Sequence, residues 1–395
     1  MGGIKDRLTY LLKHNKKFQY AYKKTFSILF RALGAFIRTD EHLVLINNFA
    51  GLRYSDSPKA LFEYIKERPE LQSLRIVWAF TDINRFRCID GCEIVKQDSL
   101  KYFITALKAK YWISNVNIER GLNFKKNKTL YLNTWHGMPF KKVGNSVKGR
   151  NDYNCDNVDF WCAESDYSAD IYIKAFNVLP EAILKCGLPR NDRLYHITPQ
   201  QTEELKEKMG LPLNKKIISY VPTWRDSKDG GKHYDFSLPI NLEKWEEKLS
   251  MNYILLFRAH HFTNHLSNLK EDGFIKDYSD YPDINDIFIV SDIMISDYSA
   301  SMADYAILER PIICFGYDYD DYDIDRGFYE DLDKVIPNGV MRTEDDVLNH
   351  ILTMNYEEEC HKTKTMIKDK YVTYGGNATA TCVEKLFGDY YKVQN

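Results

Sequence analysis

The chain has 395 residues, a formal net charge of −2, 44% hydrophobic residues and 28% charged residues. This composition is typical of globular proteins and argues against extensive disorder. The length predicts two domains, each large enough to bury a core of its own. Because the net charge is close to zero, nucleic-acid binding driven by overall electrostatics is excluded.

Residues 1–39 form a basic segment that we expect to be an amphipathic helix. Its lysines and arginines, from Lys5 to Arg38, accompany a single acidic residue, Asp6, and stand among leucines and aromatic residues. A helix of this composition suits an anionic membrane surface. It also suits a helix that packs on the next domain with its lysines in water, and the sequence leaves both interpretations open. We expect neither a spanning helix nor a signal peptide.

From His42 onward, short apolar runs alternate with helical segments, which is the pattern of an α/β protein with parallel sheets. We predict two Rossmann-like domains that face a cleft, over residues 40–205 and 206–365. A last helical segment, 366–395, is expected to cross back to the N-terminal domain. In such domains, ligands bind at the carboxyl ends of the strands.

The stretch Asp286–Phe315 is predicted to be a β-α-β unit. An apolar run, Ile287–Ile295, has strand character, and a second β-rich run, Pro311–Phe315, follows it. Ser301 with Asp304 three residues later fits a capping box, which would start the helix between the two strands.

The turn before this predicted helix, Ser299–Ser301, is a candidate phosphate site. It would present backbone N–H groups and hydroxyls at the positive end of the helix, where phosphate binds well. An ordinary capped crossover helix without any ligand is an equally good interpretation of the same residues.

His136 is the first candidate for acid–base chemistry. It lies between a predicted strand, Thr129–Thr134, and a turn that begins at Gly137, so we expect its side chain to point into the cleft. Lys141 and Lys142 follow closely. A histidine beside lysines at a strand end suits a general base that acts on a hydroxyl near phosphate. A buried core histidine is the alternative, which the flanking glycine and proline disfavour.

Arg258 and His260 follow another predicted strand, Tyr253–Phe257, and alternate in phase, so both can point the same way. A cation and an imidazole there could neutralise a phosphate and protonate a leaving oxygen. His261 and His265 have the spacing of a zinc pair. They lack the glutamate of the H-E-x-x-H motif and a third ligand, so we predict no metal site.

A further strand end carries Thr223, Trp224, Arg225 and Asp226. Trp224 and Arg225 could contact a nucleotide or a phosphate, with Asp226 orienting the guanidinium. A purely structural ion pair between Arg225 and Asp226 is the alternative, and the sequence does not decide between them.

The acidic run Asp318–Asp325 resembles a calcium loop in its spacing. An EF-hand needs glycine at the sixth position and glutamate at the twelfth, where this chain has Arg326 and Leu332. We therefore predict a solvated acidic loop, with Arg326 and Gly327 near the cleft. The sequence also lacks a P-loop and a dinucleotide fingerprint, so neither ATP hydrolysis nor a dinucleotide coenzyme is supported.

The motifs, in their order, resemble the CDP-glycerol glycerophosphotransferase family, the primases and polymerases of teichoic acids and related capsules. The resemblance runs from Asn47 to Ala378 and covers nearly all of the chain after the basic segment. The strongest matching segments are 133–142, 187–192, 222–226, 258–260, 296–305 and 326–329.

This resemblance implies a GT-B fold and transfer of glycerol phosphate from CDP-glycerol to an acceptor hydroxyl, with release of CMP and no cofactor or metal. His136 would be the general base, and His260 would stabilise or protonate the breaking pyrophosphate. The residues expected to bind substrate are Gly137, Lys141, Lys142, Arg190, Asn191, Asp192, Thr223, Trp224, Arg225, Asp226, Arg258, Ser299, Ala300, Ser301 and Asp304.

Met138, Phe140 and Ala300 depart from the usual residues of the family, which leaves the polyol and the acceptor open. The alternatives are a ribitolphosphotransferase that uses CDP-ribitol, a GT-B glycosyltransferase that uses a sugar nucleotide, and a non-catalytic membrane-bound scaffold. For the leading hypothesis, the acceptor is a lipid-linked saccharide or polymer. The basic segment would then hold the enzyme at the cytoplasmic face of the membrane, on its anionic surface.

Overall fold

A computed structural model describes residues 15–223, 239–258 and 273–394. These residues form helices and two β-sheets, one of seven strands and one of six. The mixed α/β architecture with parallel sheets that the sequence predicts is confirmed.

The chain divides into two compact units. The first lies within Met1–His136, Asn157–Trp161 and Ala380–Asn395, and the second within Gly137–Asp156 and Cys162–Thr379. The predicted domains, 40–205 and 206–365, follow the two sheets rather than this division, and their bounds stay predictions.

The first sheet has a Rossmann-type strand order. Its strands are Asp40–Asn47 (β1), Arg75–Phe80 (β2), Glu93–Lys96 (β3), Ala109–Ser114 (β4), Leu130–Asn133 (β5), Phe160–Ala163 (β6) and Ile183–Lys185 (β7). They are arranged in the order β3-β2-β1-β4-β5-β6-β7. Strands β2 and β3 lie on one side of β1, and β4 to β7 lie on the other. The strand order therefore reverses between β1 and β4, and their carboxyl ends form the switch point at which ligands bind in such sheets.

The second sheet repeats this order. Its strands are Lys216–Val221 (β8), Tyr253–Phe257 (β9), Ile275–Asp277 (β10), Ile293–Ser296 (β11), Ile312–Phe315 (β12) and Val340–Met341 (β13). They are arranged as β10-β9-β8-β11-β12-β13, and the pairings are parallel. The corresponding switch point lies at the carboxyl ends of β8 and β11.

Helices connect the strands and cover the sheets. The α-helices are Lys16–Phe36 (α1), Asp56–Lys66 (α2), Leu100–Lys108 (α3), Asp166–Phe176 (α4), Asp192–His196 (α5), Pro199–Lys208 (α6), Leu242–Leu249 (α7), Ile284–Val290 (α8), Ser301–Ala306 (α9), Tyr319–Asp325 (α10), Leu332–Val335 (α11), Glu344–Thr353 (α12), Tyr356–Thr363 (α13), Asp369–Tyr371 (α14) and Ala378–Gln394 (α15). A π-helical turn, Lys364–Lys368, joins α13 to α14.

Both faces of the second sheet are buried. In β8, Ile217 belongs to the core on one face, while Ile218 and Tyr220 belong to the core on the other. A strand that alternates between two cores is expected in a parallel sheet covered by helices on both sides. This explains why the strands read as nearly continuous apolar runs.

The prediction that Ile287–Ile295 is a single strand is wrong. The first part of this run is helical, in Ile284–Val290, and only Ile293–Ser296 is a strand. Asp283 begins the helix, because its side chain accepts a hydrogen bond from the N–H of Asn285 at 2.9 Å. The apolar run is buried throughout, and burial alone does not distinguish a helix from a strand.

The predicted acidic loop is also wrong, because Tyr319–Asp325 is an α-helix. Asp320 and Asp321 lie in its first turn, where carboxylates interact favourably with the positive end of a helix. The acidic residues that suggested a loop therefore stabilise the start of α10.

One side of helix α1 packs on the rest of the first unit through Phe30. The ring of Phe30 stacks on Phe103 with centroids 4.6 Å apart, and its centroid lies 5.5 Å from that of Phe124. Throughout the described ranges, no helix has both the length and the apolar character required to cross a bilayer.

Candidate active site

His136 lies three residues after β5, beside the switch point of the first sheet. Its Nδ1 is 2.9 Å from the backbone oxygen of Asn115, the residue that follows β4. A carbonyl oxygen can only accept a hydrogen bond, so Nδ1 must carry the proton. The lone pair of the neutral imidazole is then on Nε2, which is the tautomer that a general base requires.

Several contacts fix the backbone immediately before His136. Trp135 has a φ of 52°, in the left-handed region that a bulky residue rarely adopts. Its N–H donates to Oδ1 of Asn133 at 2.9 Å, and its ring stacks on Trp161 with centroids 5.7 Å apart. These contacts fix a backbone conformation that would otherwise be unfavourable, as is common at functional sites.

Asn115 was not among the predicted site residues. Besides accepting from His136, it receives the N–H of Phe49 on its side-chain Oδ1 at 2.9 Å. It thereby connects the end of β1 with the histidine. Asn115 directly follows a parallel strand. A position after such a strand made His136 a candidate, and it could have made Asn115 one too.

Gly137, the residue after His136, occupies a position that only glycine fits. Its φ is 141°, and a Cβ added there would lie 2.7 Å from the Cβ of Ala300 and 3.5 Å from Nη2 of Arg190. Gly137 is thus in direct contact with the Ser299–Ser301 turn that the sequence predicted as a phosphate site.

The structure brings Lys141 and Lys142 together with Arg326, a residue outside the predicted site. Lys142 donates its N–H to the carbonyl of Gly327 at 2.9 Å, and Nε of Arg326 donates to the carbonyl of Lys142 at 2.9 Å. Lys141 and Phe328 form an antiparallel bridge. This pairing places three cationic side chains on adjoining segments, all partly exposed.

The turn Ser299–Ser301 lies at the switch point of the second sheet, after β11. The hydroxyl of Ser299 accepts the N–H of Ser301 at 3.2 Å and donates to the hydroxyl of Ser301 at 2.9 Å. The predicted capping box of Ser301 and Asp304 is wrong, because helix α9 begins without a side-chain cap. The helix has only six residues, so its dipole contributes less than the local N–H groups and hydroxyls.

Asp304 is instead bonded to Arg190 and Asn191. Its Oδ2 is 2.7 Å from Nη2 of Arg190, and its Oδ1 is 2.5 Å from Nδ2 of Asn191. The side chains of Arg190 and Asp304 are only 8% and 9% exposed. A buried pair of this kind is costly to break, so these three residues have a structural role, and their contact with substrate stays a prediction.

Asp192 also has a structural role. Its two carboxylate oxygens accept the backbone N–H groups of Ala378 at 2.8 Å and Thr379 at 2.7 Å. These groups belong to the first turn of α15, whose N–H donors have no partner within the helix. Asp192 therefore caps the last helix of the chain.

Thr223 lies after β8, across the switch point from β11. Its N–H donates to both carboxylate oxygens of the buried Asp297, at 2.9 and 3.0 Å, and its hydroxyl donates to the same carboxylate. Asp297, which the sequence did not single out, also accepts the N–H of Tyr298 at 2.7 Å. It thereby fastens the ends of the two central strands to each other.

Arg258 is buried at the end of β9, where Nη1 donates to the carbonyls of Tyr278 at 3.2 Å and Tyr281 at 2.6 Å. Burial lowers the pKa of its guanidinium to about 10. The remaining predicted site residues lie outside the described ranges, and they are Trp224, Arg225, Asp226 and His260.

The comparisons with known proteins identify the family of this chain. Residues 29–388 match the family model described as CDP-Glycerol:Poly(glycerophosphate) glycerophosphotransferase, and the chain belongs to this family.

Two relatives and one solved structure illustrate the similarity. The teichoic acid glycerol-phosphate transferase of Staphylococcus aureus is 34% identical over 326 residues, which is 77% of this chain and 82% of the relative. A teichoic acid poly(glycerol phosphate) polymerase of Bacillus spizizenii is 30% identical over 400 residues, covering 94% of this chain and 98% of the relative. The structure of the wall teichoic acid polymerase TagF aligns over the whole of both chains, with a TM-score of 0.80 and 28% identity.

We predict that Gly137→Ala abolishes most of the activity, by tenfold or more, because a misplacement of about 1 Å can cost ~100-fold in rate. The new Cβ would overlap Ala300. Gly149→Ala is the matched control, since Gly149 also has a positive φ of 79° but has no neighbour within 4 Å of the added Cβ. Steady-state kinetics of both variants would test this. Equal loss in the two variants would show that backbone strain, and not the contact with Ala300, is responsible.

We predict that Asp192→Ala lowers the free energy of unfolding by about 1 kcal/mol, the usual effect of removing a helix cap. Asp192→Asn keeps an acceptor oxygen and should recover part of the loss. Thermal unfolding and KM for the donor should be measured together. A raised KM with unchanged unfolding would contradict the capping role and favour contact with substrate.

Proposed function

We propose that His136 is the general base with which this glycerophosphotransferase activates the hydroxyl of a lipid-linked acceptor. The enzyme transfers glycerol phosphate from CDP-glycerol in teichoic acid synthesis, as its family membership establishes. The observation that carries the proposal is the hydrogen bond from Nδ1 of His136 to the carbonyl of Asn115, because it leaves the basic lone pair on Nε2.

In the proposed reaction, Nε2 of His136 takes the proton of the acceptor hydroxyl as the oxygen attacks phosphorus. The attacked phosphorus is the one that bears glycerol. A phosphodiester bond forms, the bond between this phosphorus and the bridging oxygen of the pyrophosphate breaks, and CMP leaves with the electron pair. We propose that His260 donates a proton to, or stabilises, the leaving phosphate.

Charge develops on the transferred phosphoryl group, so groups that stabilise negative charge should dominate catalysis. The N–H groups and hydroxyls of the Ser299–Ser301 turn and the cations Lys141, Lys142 and Arg326 are candidates for this role. The contact between Gly137 and Ala300 supports the proposal, because the residue that follows the base lies against the turn. We propose that Arg225 also contacts the donor.

We infer a GT-B fold from the two sheets, since each has the Rossmann strand order with its candidate residues at the switch point. The predicted cleft between the domains stays a prediction. The acceptor, a lipid-linked saccharide or polymer, is proposed from the family and from the character of α1.

The exposed side of α1 supports attachment to an anionic membrane surface at the cytoplasmic face. Tyr20, Lys24, Ile28 and Arg31 are exposed and follow one another at intervals of three or four residues, so they lie on one face of the helix. Residues 15–39 contain no acidic side chain. Basic and apolar residues together on one face are typical of helices that lie on membranes.

We predict that the enzyme releases CMP from CDP-glycerol in the presence of a lipid-linked disaccharide, and that His136→Ala lowers kcat/KM by about 10²- to 10⁴-fold, the usual contribution of a general base. His361→Ala, a change of an exposed histidine on α13, is the control. CDP-ribitol should be tested in parallel. CMP release from CDP-ribitol alone would assign the other polyol, and full activity of His136→Ala would refute the proposed base.

We predict that the enzyme binds vesicles containing anionic lipid more tightly than vesicles of neutral phosphatidylcholine, and that added salt weakens the binding. Ile28→Ser and Lys24→Glu should each reduce binding. Leu352→Ser removes an apolar side chain of similar exposure on α12 and is the control. Equal sedimentation of wild type and Lys24→Glu with anionic vesicles would contradict a role for this face.

A further inference from the structure

Glu164 is a buried carboxyl group that follows β6 and that the reaction described above does not use. The residue is 2% exposed. Its Oε2 lies 3.0 Å from the hydroxyl of Tyr172, and within the described part of the chain its Oε1 has no hydrogen-bond partner. The same hydroxyl of Tyr172 lies 3.3 Å from the carbonyl oxygen of Gly137. A short chain of polar atoms thus runs from Glu164 to the residue after His136.

The number of protons shared by Glu164 and Tyr172 decides which hydrogen bonds these polar groups can form. The hydroxyl of Tyr172 has one proton, and the described residues place both the carboxyl of Glu164 and the carbonyl of Gly137 within its reach. If Glu164 is ionised, the Tyr172 hydroxyl donates its hydrogen bond to the charged carboxylate, because bonds to charged acceptors are stronger. The carbonyl of Gly137 then loses its donor. If Glu164 is protonated, it donates to Tyr172, and Tyr172 donates to Gly137. Only the protonated form satisfies both bonds.

The surroundings favour the protonated form. Glu164 interacts with the carboxylate of Asp304, which repels a second negative charge, and with Arg190, which is bonded to Asp304. Among the described residues, the charge of Glu164 also acts on the phenols of Tyr172 and Tyr195 and contributes to their raised pKa values. Burial is the largest cause and the charge of Asp304 adds to it, whereas the backbone of Glu164, the Tyr172 hydroxyl and the Arg190 guanidinium act in the opposite direction. The net effect raises the pKa of Glu164 from 4.5 to about 7. An ionised carboxylate with one buried oxygen left without a donor would be costly.

We propose that Glu164 is a positioning residue whose protonated carboxyl, acting through Tyr172, holds the carbonyl of Gly137 and so sets the turn that follows His136. Ionisation of Glu164 turns the Tyr172 hydroxyl away from Gly137 and releases this carbonyl. The turn can then move, and with it the imidazole whose placement limits the rate. Glu164 itself touches neither substrate nor the reacting atoms. The inference rests on the proposed role of His136.

The first test is the pH dependence of kcat for CMP release in wild type, Glu164→Gln and Tyr172→Phe. A glutamine amide donates to Tyr172 at every pH, so Glu164→Gln should retain activity above pH 7, where wild-type kcat falls with the ionisation of Glu164. Tyr172→Phe removes the donor to Gly137 and should lower kcat about tenfold at pH 6, with little change in KM, while above pH 7 wild-type kcat should fall towards that of this variant. Superimposable pH profiles of wild type and Glu164→Gln would overturn the proposal.

Glu119→Gln is the matched control. Glu119 is likewise buried with a raised pKa, but its carboxylate accepts the N–H groups of Phe124 at 2.5 Å and Lys125 at 2.6 Å. Its replacement should lower the melting temperature without displacing the alkaline limb of the activity profile. A displaced limb in this control would show that any loss of a buried glutamate has the effect.

A second test does not depend on turnover, and so separates this inference from the proposed function. Between pH 4.5 and about 7, folded Glu164 keeps a proton that the unfolded chain has lost. The wild-type melting temperature should therefore fall relative to Glu164→Gln as the pH rises through this range, and the difference should be constant above it. The infrared band of a protonated carboxylic acid should be present at pH 6 and absent from Glu164→Gln. A pH-independent difference in melting temperature, or no such band, would refute a protonated Glu164 even if the enzyme transferred no glycerol phosphate.

Discussion

The close approach of Gly137 to Ala300 is the constraint on which the arrangement of the site depends. With a φ of 141° and no room for a Cβ, Gly137 allows the backbone to lie directly against the Ser299–Ser301 turn. Gly137, the residue that follows the proposed base, therefore lies against the candidate phosphate turn. A larger residue at 137 would push this backbone away from the turn.

The cationic side chains of the candidate site fall into a buried group and a partly exposed group, which the sequence could not distinguish. Arg190 and Arg258 are buried and bonded to Asp304 and to backbone carbonyls, so their charges serve the protein itself. Lys141, Lys142 and Arg326 are partly exposed and lie on adjoining segments, where Nε of Arg326 donates to the carbonyl of Lys142 and the ammonium of Lys141 lies 5.6 Å from the centre of the Tyr322 ring. The second group is more exposed than the buried Arg190–Asp304 pair, so we expect it to be the more accessible to a phosphate.

The sequence predicted the α/β class correctly, and the predicted strands at 129–134, 253–257 and 311–315 overlap β5, β9 and β12, because parallel strands buried on both faces read as compact apolar runs. It failed at 287–290, where a helix is equally apolar and only the cap at Asp283 reveals it. Among the candidate site residues, the rule that functional groups follow parallel strands predicted His136 and Ser299, and the structure places them after β5 and β11. The same rule could not tell that Asp192 caps a helix almost two hundred positions later, because that contact exists only in the folded chain.

Glu164 shows why the rest of the site could not be read from the sequence. A glutamate after a strand is normally solvated and ionised, and nothing in its neighbours along the chain indicates otherwise. Its environment is made by Tyr172, one helix later, and by Arg190 and Asp304, which come from distant segments. The protonation state is therefore a property of tertiary packing. If the carbonyl of Gly137 depends on that proton, then the position of the proposed base is governed by a residue that has no chemical part in the reaction.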